Sequence, residues 1–151
     1  ASGIGQALAV EYAHKNIRVI GGYFAKDPHD HTETQKLVEA AGGECLMIAL
    51  DVGSTESMDA AVQQGVQAFG NIDYVVANAG LLRKASLLDM TDELWNEMLN
   101  IDLTGVMRTF RSAAKHMNDN GSMVAISSIA GGVYGWQDHT HYAAAKAGVP
   151  G

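Results

Sequence analysis

Glu44-Cys45-Leu46-Met47-Ile48-Ala49-Leu50 is a nearly continuous apolar run of strand length. A strand covered on both faces reads this way, because both sets of alternating side chains meet a core. Asp51-Val52 closes the run, and from Thr55 to Phe69 apolar residues recur at Met58, Ala61, Val62, Val66 and Phe69. That is helical spacing, with Ser54 or Thr55 as the cap. Ile72 to Ala77 is the next apolar run. Strand, helix, strand is the repeating unit of a parallel α/β sheet. The alternation continues outward on both sides. Ile17 to Phe24 reads as a strand, and Thr32 to Ala41 as a helix stopped by Gly42-Gly43. From Thr91 a long helix is predicted, with Asp92 and Glu93 in its first turn and apolar residues at Leu94, Met98, Ile101, Val106, Phe110 and Met117. A polar turn over Asn118 to Gly121 and a strand over Ser122 to Ser128 follow. The predicted architecture is an α/β doubly wound parallel sheet with helices on both faces. No linker or repeat interrupts it, so residues 1–151 read as one folding unit.

Composition narrows the partners. Of the 151 residues, 47% are hydrophobic and 18% charged, a globular balance with enough chain for a real core. A net charge of −7 gives no electrostatic reason to expect nucleic acid or an anionic membrane. No apolar run approaches the ~20 residues that span a bilayer. The lone Cys45 sits in the apolar run and reads as a buried core thiol, outside any disulfide framework, which fits a reducing, cytoplasmic setting. Asp27-Pro28-His29-Asp30-His31 holds two His and two Asp. Zinc wants three or four ligands of fixed geometry. This cluster is short and contiguous, so it reads as a capped helix start, and no metal is expected.

The chemistry concentrates near the end of the chain. Tyr142-Ala143-Ala144-Ala145-Lys146 puts a phenol and an ammonium one helical turn apart on one face. A free phenol with a pKa near ~10 is a poor base at neutral pH. A nearby ammonium favours the phenolate, which suits proton transfer. Ser128 closes the Met123 to Ile126 run, where its hydroxyl could hold a substrate oxygen beside the phenol. Between them, Val133 to His141 forms a loop whose aromatic and imidazole groups could line a substrate pocket. At the other end, Ser2-Gly3-Ile4-Gly5 runs into a helix and looks like the second half of a glycine-rich phosphate turn. Asn78-Ala79-Gly80 is a small-residue turn closing the Ile72 to Ala77 strand.

Together these elements resemble the short-chain dehydrogenase/reductase family over essentially the whole chain. The resemblance implies that Ser128, Tyr142 and Lys146 are catalytic and that Lys146 also bonds the nicotinamide ribose. It implies a cofactor lined by Ser2, Gly3, Ile4, Gly5, Asp51, Val52, Asn78, Ala79 and Gly80, with Asp51 at the adenine. Asp102 stands where the family carries an asparagine that holds a water in the proton relay to the lysine. A carboxylate can accept from that water or from the lysine but cannot donate when ionised. The residues that end the second strand choose the cofactor: a carboxylate there favours NAD(H), a basic residue NADP(H). Tyr23 and Phe24 occupy the place and Lys26 follows, which favours NADP(H), with NAD(H) possible. The implied function is hydride transfer between a nicotinamide cofactor and a small-molecule carbonyl or alcohol substrate. Two alternatives are a dinucleotide-binding protein without turnover and a family member doing epimerase or dehydratase work. The resemblance further implies a homo-oligomer, dimer or tetramer, when full length. It places a first strand and a Thr-Gly pair ahead of Ala1 and more chain beyond Gly151, so residues 1–151 alone are expected to lack a complete site.

Overall fold

The structure is a computed structural model that describes residues 2–151. In chain order it forms α1 (Gly3–Ala13), β1 (Val19–Tyr23), α2 (His31–Ala40), β2 (Cys45–Ala49), α3 (Thr55–Phe69) and β3 (Ile72–Ala77). Then come α4 (Asp92–Leu99), a π-helical segment (Asn100–Thr104), α5 (Gly105–Ala114), β4 (Met117–Ala125) and α6 (Thr140–Gly148). Two compact units result, one ending at Ile72 and one over Asp73–Gly151.

In the first unit β1 and β2 pair in parallel, from Val19 opposite Cys45 to Tyr23 opposite Ala49. The core is built of small groups: Ala9 and Ala13 of α1 meet Val38 of α2, with Val10, Val19, Ala41 and Cys45 packed around them. Gly43 is part of that closeness, since a Cβ there would lie 2.5 Å from the Ala13 Cβ. Helix starts follow the expected chemistry. The Asp30 carboxylate accepts from the Thr32 amide at 2.8 Å, and the Ser54 hydroxyl from the Ser57 amide at 3.2 Å. The Asp27 to His31 stretch is therefore a helix start, as its sequence predicts. Strand β2 departs from expectation: Ile48 is buried, but Cys45, Leu46 and Met47 are half-buried and Ala49 is exposed. The Cys45 thiol is pushed up to about 11, by partial burial first and by Glu39 second.

In the second unit β3 pairs with β4. The two run in the same direction, with Asn118 bonded to Asp73 near one end and the Ile126 amide donating to the Ala77 carbonyl at the other. Here two expectations fail. The stretch Asn118 to Gly121 is not a turn but part of β4, and Met117 opens that strand instead of closing the long helix. The polar residues belong to an exposed strand start: the Asn118 amide finds the Asp73 carboxylate at 2.8 Å, and Asn120 takes φ 66°, a left-handed value that Asn tolerates. The strand also ends at Ala125, so Ser127 and Ser128 lie in the loop after it. The long helix is real but not uniform. Thr91 caps α4 by accepting from the Leu94 amide, and the wide turn at Asn100–Thr104 separates α4 from α5. Helix α6 ends at Gly148, and Pro150-Gly151 lies beyond it.

Candidate active site

Three pieces of the second unit converge on Lys146: the loop after β3, the π segment, and the loop after β4. Lys146 sits in the last turn of α6 and is almost fully buried, at 4% exposure. Its ammonium donates to the Ile126 carbonyl at 3.0 Å and lies 3.4 Å from Asp102 Oδ2. At its backbone end, the Ser127 hydroxyl donates to the Lys146 carbonyl at 2.7 Å. The lysine is thus pinned at both ends by consecutive residues of the post-β4 loop. Gly131 makes the same loop possible. It takes φ 83°, and a Cβ there would fall 2.1 Å from the Ala143 carbonyl oxygen of α6.

Asp102 has no exposed surface at all. Oδ1 accepts from the Leu81 amide at 2.7 Å, while Oδ2 has the ammonium at ion-pair distance and no hydrogen bond. Charge-assisted N–H to carboxylate bonds are usually about 2.7–2.9 Å, so this contact is long. Burial pushes the Asp102 carboxyl above its ordinary value, and the Leu81 amide and Lys146 charge oppose that without cancelling it. Gly80 covers the pair, since a Cβ there would sit 3.3 Å from Oδ2 and 3.4 Å from the ammonium. In the predicted asparagine position, then, a carboxylate meets the lysine directly.

Tyr142 lies one turn before Lys146, half-buried, with the ammonium 5.9 Å from its ring centroid. Trp136 meets its ring edge-on at 6.2 Å and stacks on His139 at 4.0 Å. Ser128 is half-buried, and its hydroxyl accepts from the Ala130 amide at 3.1 Å. Of the two histidines expected in the loop, His139 ends it and His141 lies in α6. His139 precedes α6 as its cap, and His141, inside the first turn, is fully buried with neither ring nitrogen bonded. Burial first, then the neighbouring His139, holds the His141 imidazole below its ordinary value, so it is neutral at pH 7.

The remaining predicted residues take these places. Ser2 caps α1 without a side-chain bond to it, Gly3 is at φ 58° with open space around it, Ile4 is exposed, and Gly5 is half-buried in the first turn. Tyr23 stacks face to face on His31, with centroids 3.6 Å apart, and Lys26 is exposed. Asp51 shapes the turn before α3: its carboxylate accepts from the Gly53 amide at 2.8 Å, and its own amide donates to Ser57. Val52 is half-buried beside it; Asn78 is half-buried and Ala79 exposed after β3. Sequence reasoning missed Ser127 and the Leu81 amide, and it put His141 in a pocket-lining loop where the structure buries it in α6. The Ser127-Ser128 pair was a visible signal, but nothing in it says which hydroxyl grips α6.

A family model described as Enoyl-(Acyl carrier protein) reductase matches residues 1–151. The chain belongs to the short-chain dehydrogenase/reductase family. It is 37% identical to the 3-oxoacyl-acyl-carrier-protein reductase FabG of Thermotoga maritima, covering 100% of this chain and 61% of that protein. With (-)-trans-carveol dehydrogenase of Rhodococcus erythropolis the identity is 34%, over 100% of this chain and 59% of the relative. The chain therefore spans about three-fifths of the length of these relatives. A crystal structure of a short chain dehydrogenase from Mycobacterium smegmatis superposes with a TM-score of 0.88 at 35% identity, covering 99% of this chain and 62% of that one. The fold class is the α/β doubly wound, Rossmann-like one that the sequence predicts. This is an oxidoreductase family. No helix of the described residues is long and apolar enough to cross a membrane.

Proposed function

We propose that the protein is a nicotinamide-dependent oxidoreductase that interconverts a carbonyl and a hydroxyl on a small molecule, with Tyr142 as acid/base. The observation that carries this reading is the fixing of Lys146 at both ends, one turn from a half-buried Tyr142 on the same helix. Such preorganisation is what proton transfer at a defined point requires. The residues present suit a dinucleotide. The uncapped first turn of α1 offers amide donors and the positive end of a helix dipole, with glycines that keep side chains out of the way. When bound, the cofactor gives or takes the hydride. In the reductive direction Tyr142 donates its proton to the substrate oxygen, and Ser128 turns its hydroxyl from the local loop to hold that oxygen. Asp102 and the Ile126 carbonyl hold the Lys146 ammonium behind the phenol.

NADP(H) is the favoured cofactor, from Lys26 and the lack of a carboxylate at the end of β1. Full-length protein is expected to assemble as a homo-oligomer and to work in a cytoplasmic setting. Tyr142→Phe tests the central role. Turnover of a ketone by the whole protein should fall by about 10²–10⁴-fold, the usual worth of a positioned acid/base, with cofactor affinity nearly intact. Turnover near wild type would sink the role of the phenol. Intact cofactor binding with no turnover of any carbonyl or alcohol by the unaltered protein would favour a binding protein instead.

A further inference from the structure

Among the described residues, only three buried side-chain polar atoms lack a hydrogen-bonding protein group: Asp102 Oδ2 and both ring nitrogens of His141. These two residues lie on elements packed against each other, the π segment and α6, and neither has exposed surface. A buried polar group left unsatisfied forfeits its hydration with nothing in return, so orphans on two packed elements call for a bridging partner. Buried waters occupy such places, typically joining several polar groups.

We propose that an internal water joins the His141 ring to Asp102 Oδ2, making His141 a positioning residue that keeps the Asp102 carboxylate ionised against Lys146. The imidazole N–H donates to the water, and the water donates to Oδ2. The proposal rests on the reading of Lys146 and Tyr142 above but concerns a residue that touches neither substrate nor cofactor. Hydrogen bonds to the ionised form of an acid favour that form, so this chain opposes the effect of burial on the carboxyl. The groups that act on Asp102 are few: the Leu81 amide from the loop after β3, and Lys146 and His141 from α6. On the flanking helices Glu97 of α4 pairs with Arg83, and Arg108 of α5 reaches Asn100; Asp92 and Glu93 of α4 and Arg111 of α5 are the other charges there.

The test uses protein expressed from its whole reading frame. His141→Phe removes the donor while filling the space, so the acid limb of kcat/KM should move up by about one pH unit. His141→Gln, which keeps an N–H donor, should restore most of it. In an Asp102→Asn background His141→Phe should produce no movement, because no carboxyl remains to titrate. A side chain that merely packs would shift stability in both backgrounds and the acid limb in neither. An unchanged limb in His141→Phe, or the same shift persisting in the Asp102→Asn background, overturns the proposal. Should the phenylalanine variant fail to fold, ¹⁵N imidazole NMR of the unaltered protein decides. The His141 ring should hold one neutral tautomer at neutral pH, with its nitrogen shifts changed by Asp102→Asn; shifts indifferent to that substitution overturn it. This spectroscopic arm needs no turnover, so it separates failure here from failure of the Tyr142 role.

Discussion

The two units differ in whether they bury charge. Around α1 and α2 the interior is Ala9, Ala13 and Val38, small apolar groups that let backbones approach. Around α6 the interior includes an aspartate, a histidine and a lysine, each at 4% exposure or less. Burying apolar groups stabilises without conditions, whereas burying charge is tolerated only when each charge keeps its partner. The candidate residues follow this division. In the first unit Tyr23, Lys26 and Asp51 lie at or near the surface, in turns and at a strand end, while in the second Asp102 and Lys146 are locked inside. One unit offers a surface and the other holds charges in fixed places.

The sharpest way to break this contrast is Lys146→Met. It keeps the volume but strands the Asp102 carboxylate, for a loss of about 3–5 kcal/mol near neutral pH. Denaturant melts should show the loss shrinking as pH falls and Asp102 takes up a proton. A loss independent of pH would show that packing, not charge, ties the two residues. The unaltered chain carries a milder form of the same dependence. Because the Asp102 carboxyl is held above its ordinary 3.8, the folded state binds that proton more tightly than the unfolded state. The group's contribution is greatest below 3.8 and declines as pH rises through the folded value. Asp102→Asn should remove that decline.

Gly131→Ala comes next, at about 2–4 kcal/mol, from a left-handed φ on one side and overpacking on the other. The new Cβ would be driven into the Ala143 carbonyl. A calorimetric melt close to wild type would mean that the loop is free to lift off α6. In the apolar unit, Val38→Ala should cost about 2 kcal/mol with no pH dependence, since only transfer and cavity terms are lost. A pH-sensitive loss there would erase the contrast between the units. The smallest effect belongs to the surface. Tyr23→Asp should move the ratio of kcat/KM for NADP(H) over NAD(H) towards NAD(H) by roughly tenfold, or about 1.4 kcal/mol, because a carboxylate repels a 2′-phosphate and accepts from free ribose hydroxyls. A ratio that does not move would separate the Tyr23–His31 stack from cofactor choice.

Elements set by local chemistry could be read from the sequence. Helix α3 runs from Thr55 to Phe69 with Ser54 as its cap, as the periodicity and capping rule require. The β1 and β2 runs were located within a few residues for the same reason. Strand β4 starts earlier than its sequence predicts because Asn, Asp and Gly in a row spell a turn locally, while the bond from the Asn118 side chain to Asp73 on another strand is out of reach of any local pattern. At the site, the Tyr142 and Lys146 spacing was legible because a helix fixes it. The grip of Ser127 on α6 and the burial of His141 depend on elements many residues away, and no local pattern announces them. The direct Asp102 to Lys146 contact was foreseeable only as a departure from the asparagine pattern.

The wide turn at Asn100–Thr104 can be understood as a spacer. Its hydrogen bonds reach one residue farther than those of an α-helix, so the chain there carries a residue that a regular helix would not need. Removing any one residue from this segment would let the helix close into regular α geometry. Everything on one side would then turn by roughly 100° relative to the other. Asp102 could keep its place under Lys146, or Arg108 its reach back to Asn100, but the two could not be kept together. The segment therefore acts as a phase adjuster: it lets a single helical rod present its carboxylate to α6 without surrendering the packing of α5. Shortening it by one residue should be more damaging than any single side-chain substitution within it.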